Sequence, residues 1–159
     1  MATLTEDVTS VGMGQIGAGQ ATATFRSVLG SCIGLAFYNP KLKAGTFAHI
    51  VLPESAGRPG SLGKFADTAI PEMIRLMKGY GVMPSQIVAR MAGGANMFGH
   101  GGPMQIGDFN AKAVKLGLAQ AGIRLASESI GGTKGRRVIF DCQSGEFLVQ
   151  TVAQTLRKT

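Results

Sequence analysis

The chain has 159 residues, of which 45% are hydrophobic and 16% charged, a composition typical of a folded domain and not of a disordered chain. We therefore expect one domain over residues 1–159. The 24 glycines form no repeat, which excludes a fibrous protein, and the formal net charge is +7. The positive residues are scattered and accompany no nucleic-acid-binding motif, so the charge suits an acidic protein partner better than nucleic acid.

The first half predicts short strands joined by glycine-rich turns. A short edge strand is expected around Val11–Ile16, and Thr22–Tyr38 has the pattern of a strand, a tight turn and an apolar segment. Periodicity alone does not decide whether that segment, Ile33–Tyr38, is a buried strand or a short buried helix. Gly45–Leu52 predicts another strand, with His49 on one of its faces.

The second half predicts two helices and further strands. Apolar residues recur at helical spacing over Phe65–Lys78, where Pro71 is expected to kink the helix or to end a first short turn. Asp108 is expected to cap a second helix. The predicted strands are Gln86–Met91, Ile123–Ile130, Arg136–Phe140 and Glu146–Val152. These elements define an α+β fold with many short strands and two principal helices.

The two cysteines, Cys32 and Cys142, have no spacing that would hold zinc, and we expect no metal and no organic cofactor. The N-terminus lacks the pattern of a signal peptide, and no apolar run approaches the ~20 residues of a membrane helix. We therefore expect a cytoplasmic protein with reduced thiols and no membrane insertion.

A candidate nucleophile follows a small-residue turn, Leu29-Gly-Ser-Cys32. His49 lies in the next predicted strand, and a hairpin-like return would bring its imidazole beside the thiol, where it could generate a thiolate. A lone cysteine near an apolar run is also consistent with a buried small hydrophobe, and a lone histidine with a structural residue. Composition and spacing leave both interpretations open.

Six sequence blocks in order resemble the CheD family of chemoreceptor glutamine deamidases. The first two blocks are Leu29-Gly-Ser-Cys-Ile33 and Ala48-His-Ile-Val-Leu-Pro53, and together the six blocks cover roughly residues 22–150. The other four are Lys64-Phe-Ala-Asp-Thr-Ala-Ile70, Gly93-Gly-Ala-Asn-Met-Phe98, Ile106-Gly-x-x-Asn110 and Gly131-Gly-Thr-x-Gly-Arg-Arg-Val-x-Phe-Asp141.

The resemblance implies an α/β/β sandwich and deamidation of glutamine side chains on the cytoplasmic helices of chemoreceptors in bacterial chemotaxis. It implies a thioester intermediate on Cys32 with His49 as base, and some members are also expected to cleave receptor methyl esters. Some members bind a CheC-type phosphatase. The family's third catalytic residue is a threonine shortly before Gly-Ser-Cys; here Ser27 takes that role, with Thr24 as the alternative. Phe109 stands where the family usually has arginine.

Rival functions remain open at this point. A non-enzymatic adaptor would bind receptors or a CheC-type phosphatase without turnover, a small basic protein would bind nucleic acid, and a cysteine peptidase would share the first chemical steps. Among other polar residues, Asn96 and Thr133 are candidates to line the cleft, whereas His100 is interpreted as a solvated loop residue and Cys142 as a bystander thiol.

Overall fold

The computed structural model describes residues 7–97 and 105–152. Within these ranges the chain forms nine strands, two α-helices and two 3-10 turns, at Leu62–Lys64 and Pro84–Gln86. The strands are β1 (Asp7–Ser10), β2 (Ile16–Gln20), β3 (Ala23–Leu29), β4 (Ile33–Asn39), β5 (Ala44–Ile50), β6 (Val88–Gly93), β7 (Arg124–Ile130), β8 (Arg136–Asp141) and β9 (Phe147–Thr151). The helices are α1 (Ala66–Gly79) and α2 (Ile106–Ala121).

The strands form two mixed sheets. The large sheet has five strands in the order β2-β5-β4-β6-β7, and the small sheet has four in the order β1-β3-β8-β9. The β6/β7 and β1/β3 pairs are parallel, and the other pairs are antiparallel. The predicted α+β class, with many short strands and two principal helices, is confirmed.

Two separate clusters of buried apolar side chains lie on opposite faces of the large sheet. One joins that sheet to α1 and α2, and includes Leu35, Phe37 and Met73. The other joins it to the small sheet, and includes Phe47 and Phe140. The layers are therefore helices, large sheet and small sheet, the α/β/β arrangement that the resemblance implied.

Burial on both faces explains the ambiguous apolar run in the sequence. All residues of β4 and β5 are buried, because one face of each strand packs on the helices and the other on the small sheet. A strand covered on both sides has no polar face, so its sequence loses the alternation that marks a half-buried strand. Ile33–Tyr38 is a strand.

Two local predictions were wrong. Of the expected strand at Val11–Ile16, only Ile16 lies in a strand, as the first residue of β2. Residues 11–15 connect β1 and β2, and among them Gly14 adopts a positive φ of 79° that a strand does not allow. Asp108 is not the cap of α2, because the helix begins at Ile106 after Gln105, which makes no side-chain cap. Asp108 instead lies in the first turn, where a carboxylate interacts favourably with the helix dipole.

The helix α1 continues through Pro71 without ending. The alternative in which Pro71 ends a first short turn is therefore wrong. Among the described residues, no helix is both long and apolar enough to span a bilayer.

Candidate functional site

Cys32 ends the turn between β3 and β4, at one edge of the two packed sheets. The turn is held from β6 and the loop that follows it, since the Gly94 amide donates to the Cys32 carbonyl at 2.9 Å and the Ala95 amide to the Gly30 carbonyl at 3.0 Å. Gly93, at φ 112°, lies so close that an added Cβ would collide with the Cys32 carbonyl oxygen. The Gly93-Gly94 pair is thus required for close backbone packing behind the cysteine.

His49 projects from β5 toward the small sheet. In the β4/β5 ladder His49 pairs with Gly34, two residues after Cys32, so alternation places the imidazole and the thiol on the same face as diagonal neighbours. Gly34 leaves room on that face for Leu29 and Phe47, whose side-chain atoms would lie 2.9 and 2.8 Å from an added Cβ.

Ser27 projects toward His49 from the opposite sheet. Its hydroxyl lies 2.9 Å from His49 Nδ1 and donates to the Val11 carbonyl at 2.7 Å. His49 Nδ1 is also 3.1 Å from the same carbonyl oxygen. Thr24 lies on the other face of β3 by strand alternation, so Ser27 and not Thr24 is the hydroxyl that reaches the imidazole.

These contacts select one tautomer of the histidine. The Val11 carbonyl can only accept, and the single Ser27 hydroxyl proton is directed to it, so Nδ1 must carry a hydrogen that it donates to the Ser27 oxygen and the Val11 carbonyl. In a neutral imidazole this leaves Nε2 without a hydrogen and able to accept a proton.

Burial keeps both candidate groups neutral. Cys32 is 8% and His49 5% exposed. Desolvation raises the pKa of the Cys32 thiol above its ordinary value. Desolvation also lowers the pKa of His49, and this effect is larger than the opposite effect of the hydrogen bond to Val11, which raises the pKa. The resting pair is therefore a thiol and a neutral imidazole, not a preformed ion pair.

Hydrogen bonds within the described parts of the chain do not link all three predicted residues. Ser27 and His49 are hydrogen-bonded, but no hydrogen bond joins the Cys32 thiol to His49 within the described parts of the chain. The amide N–H groups of Ser31 and Cys32 likewise have no acceptor among the described residues. Both donors belong to the turn that carries the thiol.

Asn110, on α2, was given no role from the sequence. Its side chain is fully buried and donates from Nδ2 to the carbonyls of Ser31 at 3.0 Å and Val51 at 2.9 Å. The Ser31 carbonyl and the Cys32 amide belong to one peptide plane and point in opposite directions, so Asn110 fixes the direction of the Cys32 N–H. In the sequence, Asn110 stood out only through the resemblance of the Ile106-Gly-x-x-Asn110 block to the family. The spacing of residues along the chain could not show its contact with the Cys32 turn.

A cavity of about 490 Å³ lies beside the imidazole. Its lining includes Ser27, His49, Met13, Arg26 and Arg137. The imidazole is therefore within reach of solvent through an opening flanked by two arginines.

Among the described residues, none of the other candidates is hydrogen-bonded to Cys32, His49 or Ser27 through its side chain. Cys142 is buried between the sheets, where desolvation first and then the nearby Asp141 raise its pKa to about 12. Asn96 is bonded within the fold, since its amide donates to the Gly132 carbonyl at 2.8 Å and its Nδ2 donates to Asp108. Thr133 is half-buried, and half of the Phe109 surface is exposed. His100 lies outside the described residues.

No group of three or more His, Cys, Asp or Glu side chains that could hold a metal ion occurs within residues 7–97 and 105–152.

The site combines a thiol, an imidazole of defined tautomer and two backbone amides with no acceptor among the described residues, which are the components of a cysteine hydrolase. A sequence model of the family described as "CheD chemotactic sensory transduction" matches residues 51–151. A protein of Archaeoglobus fulgidus named "Probable chemoreceptor glutamine deamidase CheD" is 40% identical over 142 residues, 88% of this chain and 90% of that protein. The "Chemoreceptor glutamine deamidase CheD" of Thermotoga maritima is 40% identical over 124 residues, 78% of each chain. This chain belongs to the CheD family.

A relative from Desulforamulus reducens, also named "Probable chemoreceptor glutamine deamidase CheD", is 42% identical over 134 residues, 81% of each chain. Among solved structures, the Bacillus licheniformis hypothetical protein YfiH superposes with a TM-score of 0.49 at 15% identity, covering 72% of this chain and 49% of that one.

Proposed function

We propose that this chain is a chemoreceptor glutamine deamidase, which converts receptor glutamine side chains to glutamate with release of ammonia in chemotaxis. The observation that carries the proposal is the Ser27–His49–Val11 arrangement. It leaves the imidazole Nε2 as a proton acceptor on the same sheet face as Cys32. The names of the relatives supply the substrate, a glutamine of a chemoreceptor.

The first half-reaction forms a thioester. His49 Nε2 takes the thiol proton as the Cys32 sulfur attacks the carboxamide carbon, and the carbonyl becomes an oxyanion that accepts from the free amides of Ser31 and Cys32. The imidazolium then gives its proton to the departing amide nitrogen, and the C–N bond breaks. The products are ammonia and an acyl-enzyme.

The second half-reaction consumes water. Neutral His49 takes a proton from a water molecule as its oxygen attacks the thioester carbon, and the same backbone amides receive the oxyanion. The C–S bond then breaks, the imidazolium reprotonates the Cys32 sulfur, and glutamate is released. No cofactor takes part in these steps.

Ser27 and Asn110 act as positioning residues in this scheme. Ser27 accepts from Nδ1 and so favours the imidazolium that forms in both half-reactions. Asn110 directs the Cys32 amide by holding the Ser31 carbonyl, and its bond to Val51 anchors the chain two residues after His49. A donor aimed before reaction needs no reorganisation when charge develops.

The partners follow from the reaction. The substrate partner is a chemoreceptor cytoplasmic helix, and the enzyme acts in the cytoplasm. A CheC-type phosphatase is a second candidate partner, which would compete with the receptor for the active-site face. Receptor methyl esters are candidate second substrates, because their cleavage passes through the same acyl-enzyme with methanol as the leaving group.

The test is incubation of the protein with a chemoreceptor cytoplasmic fragment, followed by peptide mass spectrometry and an ammonia assay. Replacement of a carboxamide nitrogen by oxygen adds about 1 Da at each modified glutamine. Ammonia should appear in the same molar amount as the converted glutamines. Unchanged peptide masses across the receptors of the source organism would exclude the proposed activity.

A further inference from the structure

Two arginines flank the cavity that reaches His49, and we call them the arginine rim (Arg26 and Arg137). In β3 the side chain of Ser27 faces the interior, so its neighbours Arg26 and Val28 face outward. Val28 pairs with Arg137 across the β3/β8 ladder, which places both arginines on the outer face of the small sheet. Arg26 therefore lies in the same strand as Ser27, and Arg137 lies in the neighbouring strand β8.

The guanidinium groups of the rim meet no carboxylate within the described residues. Arg26 Nε donates to the Ser10 hydroxyl at 2.9 Å, and Arg137 reaches the Gln150 side chain only at 3.5 Å. The ion pairs found within residues 7–97 and 105–152 involve other residues. Both arginines are exposed, so their remaining donors are directed to solvent at the mouth of the cavity.

Apolar side chains accompany the rim on the same outer face. Val28 is 62%, Ile139 39% and Leu148 54% exposed, and Ile139 pairs with both Arg26 and Leu148. A surface with cations next to apolar side chains is complementary to an amphipathic segment that carries carboxylates. The net charge of +7 favours the approach of such a partner.

We infer that the arginine rim binds carboxylates of the substrate protein that flank the target glutamine, and so helps to select which glutamines are deamidated. The inference rests on the proposed function and names the feature of the substrate that the site recognises. Guanidinium groups pair with carboxylates through two parallel hydrogen bonds, which fixes the orientation of the partner as well as its affinity.

The experiment measures binding and turnover separately. The double variant Arg26→Gln/Arg137→Gln removes both charges of the rim. The control Arg124→Gln/Lys112→Gln removes the same charge at exposed positions. Arg124 lies at the end of the β6/β7 ladder that is opposite to Gly93. The dissociation constant for a receptor cytoplasmic fragment is measured by titration at low and at high salt, and kcat and KM by ammonia release.

The rim variant should bind the fragment about 10-fold or more weakly than the control at low salt, because two charge-assisted contacts are lost. Its affinity should depend less on salt than that of the wild type, and KM should rise while kcat stays within about two-fold of the control. Neutralising the acidic residues beside the target glutamine in the fragment should remove the difference between rim variant and control.

Other outcomes overturn the inference. Equal dissociation constants for rim variant and control would do so, as would absent binding of the fragment to the wild type. Displacement of the fragment by duplex DNA through the same arginines would assign the rim to nucleic acid. If the fragment binds but no ammonia is released by the wild type, the proposed function fails while the binding comparison still decides the role of the rim.

Discussion

Ser27 acts through one oxygen atom that donates to the Val11 carbonyl and lies 2.9 Å from His49 Nδ1. The backbone carbonyl is therefore as important as the hydroxyl, because it determines where the hydroxyl proton goes and which imidazole nitrogen is protonated. A threonine has the same hydroxyl, and so Ser27 can replace the threonine that is usual in the family.

Removal of the hydroxyl should slow the reaction without abolishing it. Ser27→Ala should lower kcat/KM by about 10- to 100-fold, because one orienting hydrogen bond to the imidazole is lost while Val11 still accepts from Nδ1. Ser27→Thr should keep activity close to that of the wild type. The measurement is ammonia release from the receptor fragment over a range of pH.

The same pH profile tests the ionisation state of His49. Burial lowers the pKa of His49 from its ordinary value of 6.5, so in the wild type the imidazole stays neutral and can accept a proton somewhat below that pH. The acid limb of kcat/KM should therefore have its midpoint below pH 6.5. A midpoint above this value, or full activity of Ser27→Ala with an intact fold, would contradict the proposed role of the pair.

The sequence indicated Cys32 through its small-residue turn and His49 through its position in the next strand, and their catalytic roles stay predictions. Asn110 could not be given a role, because its partners at Ser31 and Val51 lie 79 and 59 residues away along the chain. Only the packing of α2 over the large sheet creates these contacts.

At the scale of elements, the helix α2 stabilises the loop that carries Cys32. The buried Asn110 amide bridges this loop and the chain after β5, and its Oδ1 atom has no partner among the described residues. Its Nδ2 donates to two carbonyl oxygens. If the amide were flipped, Oδ1 would face these carbonyls and neither side could donate, so the surroundings determine the orientation of the amide.

Asn110→Ala should reduce both stability and activity. Two part-buried carbonyls lose their donor, at a cost of about 1–3 kcal/mol in the free energy of unfolding. The Cys32 amide loses its fixed direction, so kcat should fall by about 10- to 100-fold. Denaturant unfolding and ammonia release measure the two effects.

Thr46→Val is the matched control, because Thr46 is also fully buried and its hydroxyl has no partner among the described residues. Loss of an unsatisfied hydroxyl should leave activity unchanged and stability unchanged or higher. If Asn110→Ala folds and has the kcat of the wild type, the helix does not position the cysteine loop.

Element prediction failed where tertiary contacts replace local signals. The stretch after β1 has strand-forming residues, but its backbone bonds to two different strands. The Gly14 amide donates to the His49 carbonyl of β5, and the Val11 carbonyl accepts from Ser27 of β3. The segment therefore crosses the edge of the sandwich instead of extending a strand. Asp108 has a side chain that could cap α2, but it lies within the first turn and Gln105 occupies the cap position. Both departures lie next to the candidate site.

At the scale of the whole molecule, the large sheet is covered on both faces. A sequence with few aromatic residues therefore forms two apolar cores, one on each face of this sheet. Phe25, Phe140 and Phe147 make ring contacts within the small sheet, with the Phe140 centroid 6.2 Å from Phe25 and 6.4 Å from Phe147. Tyr38 of the large sheet contacts Phe140 across the layer, with ring centroids 5.8 Å apart. The candidate site lies at the edge of this inter-sheet layer, where Ser27 from one sheet meets His49 from the other. The relative position of the sheets therefore determines the geometry of the site.

The two thiols of the molecule provide the most direct test of the central claim, that Cys32 is the nucleophile. Both are buried, but Cys32 shares a sheet face with His49 and its amide has no acceptor among the described residues, whereas the Cys142 amide donates to the Ala23 carbonyl. The measurement is ammonia release from the receptor fragment by Cys32→Ala and Cys142→Ala, each shown to be folded by circular dichroism. Cys32→Ala should release no ammonia above background, because no thioester can form, and Cys142→Ala should keep most of the wild-type rate. Ammonia release by Cys32→Ala at a rate comparable to the wild type would contradict the account.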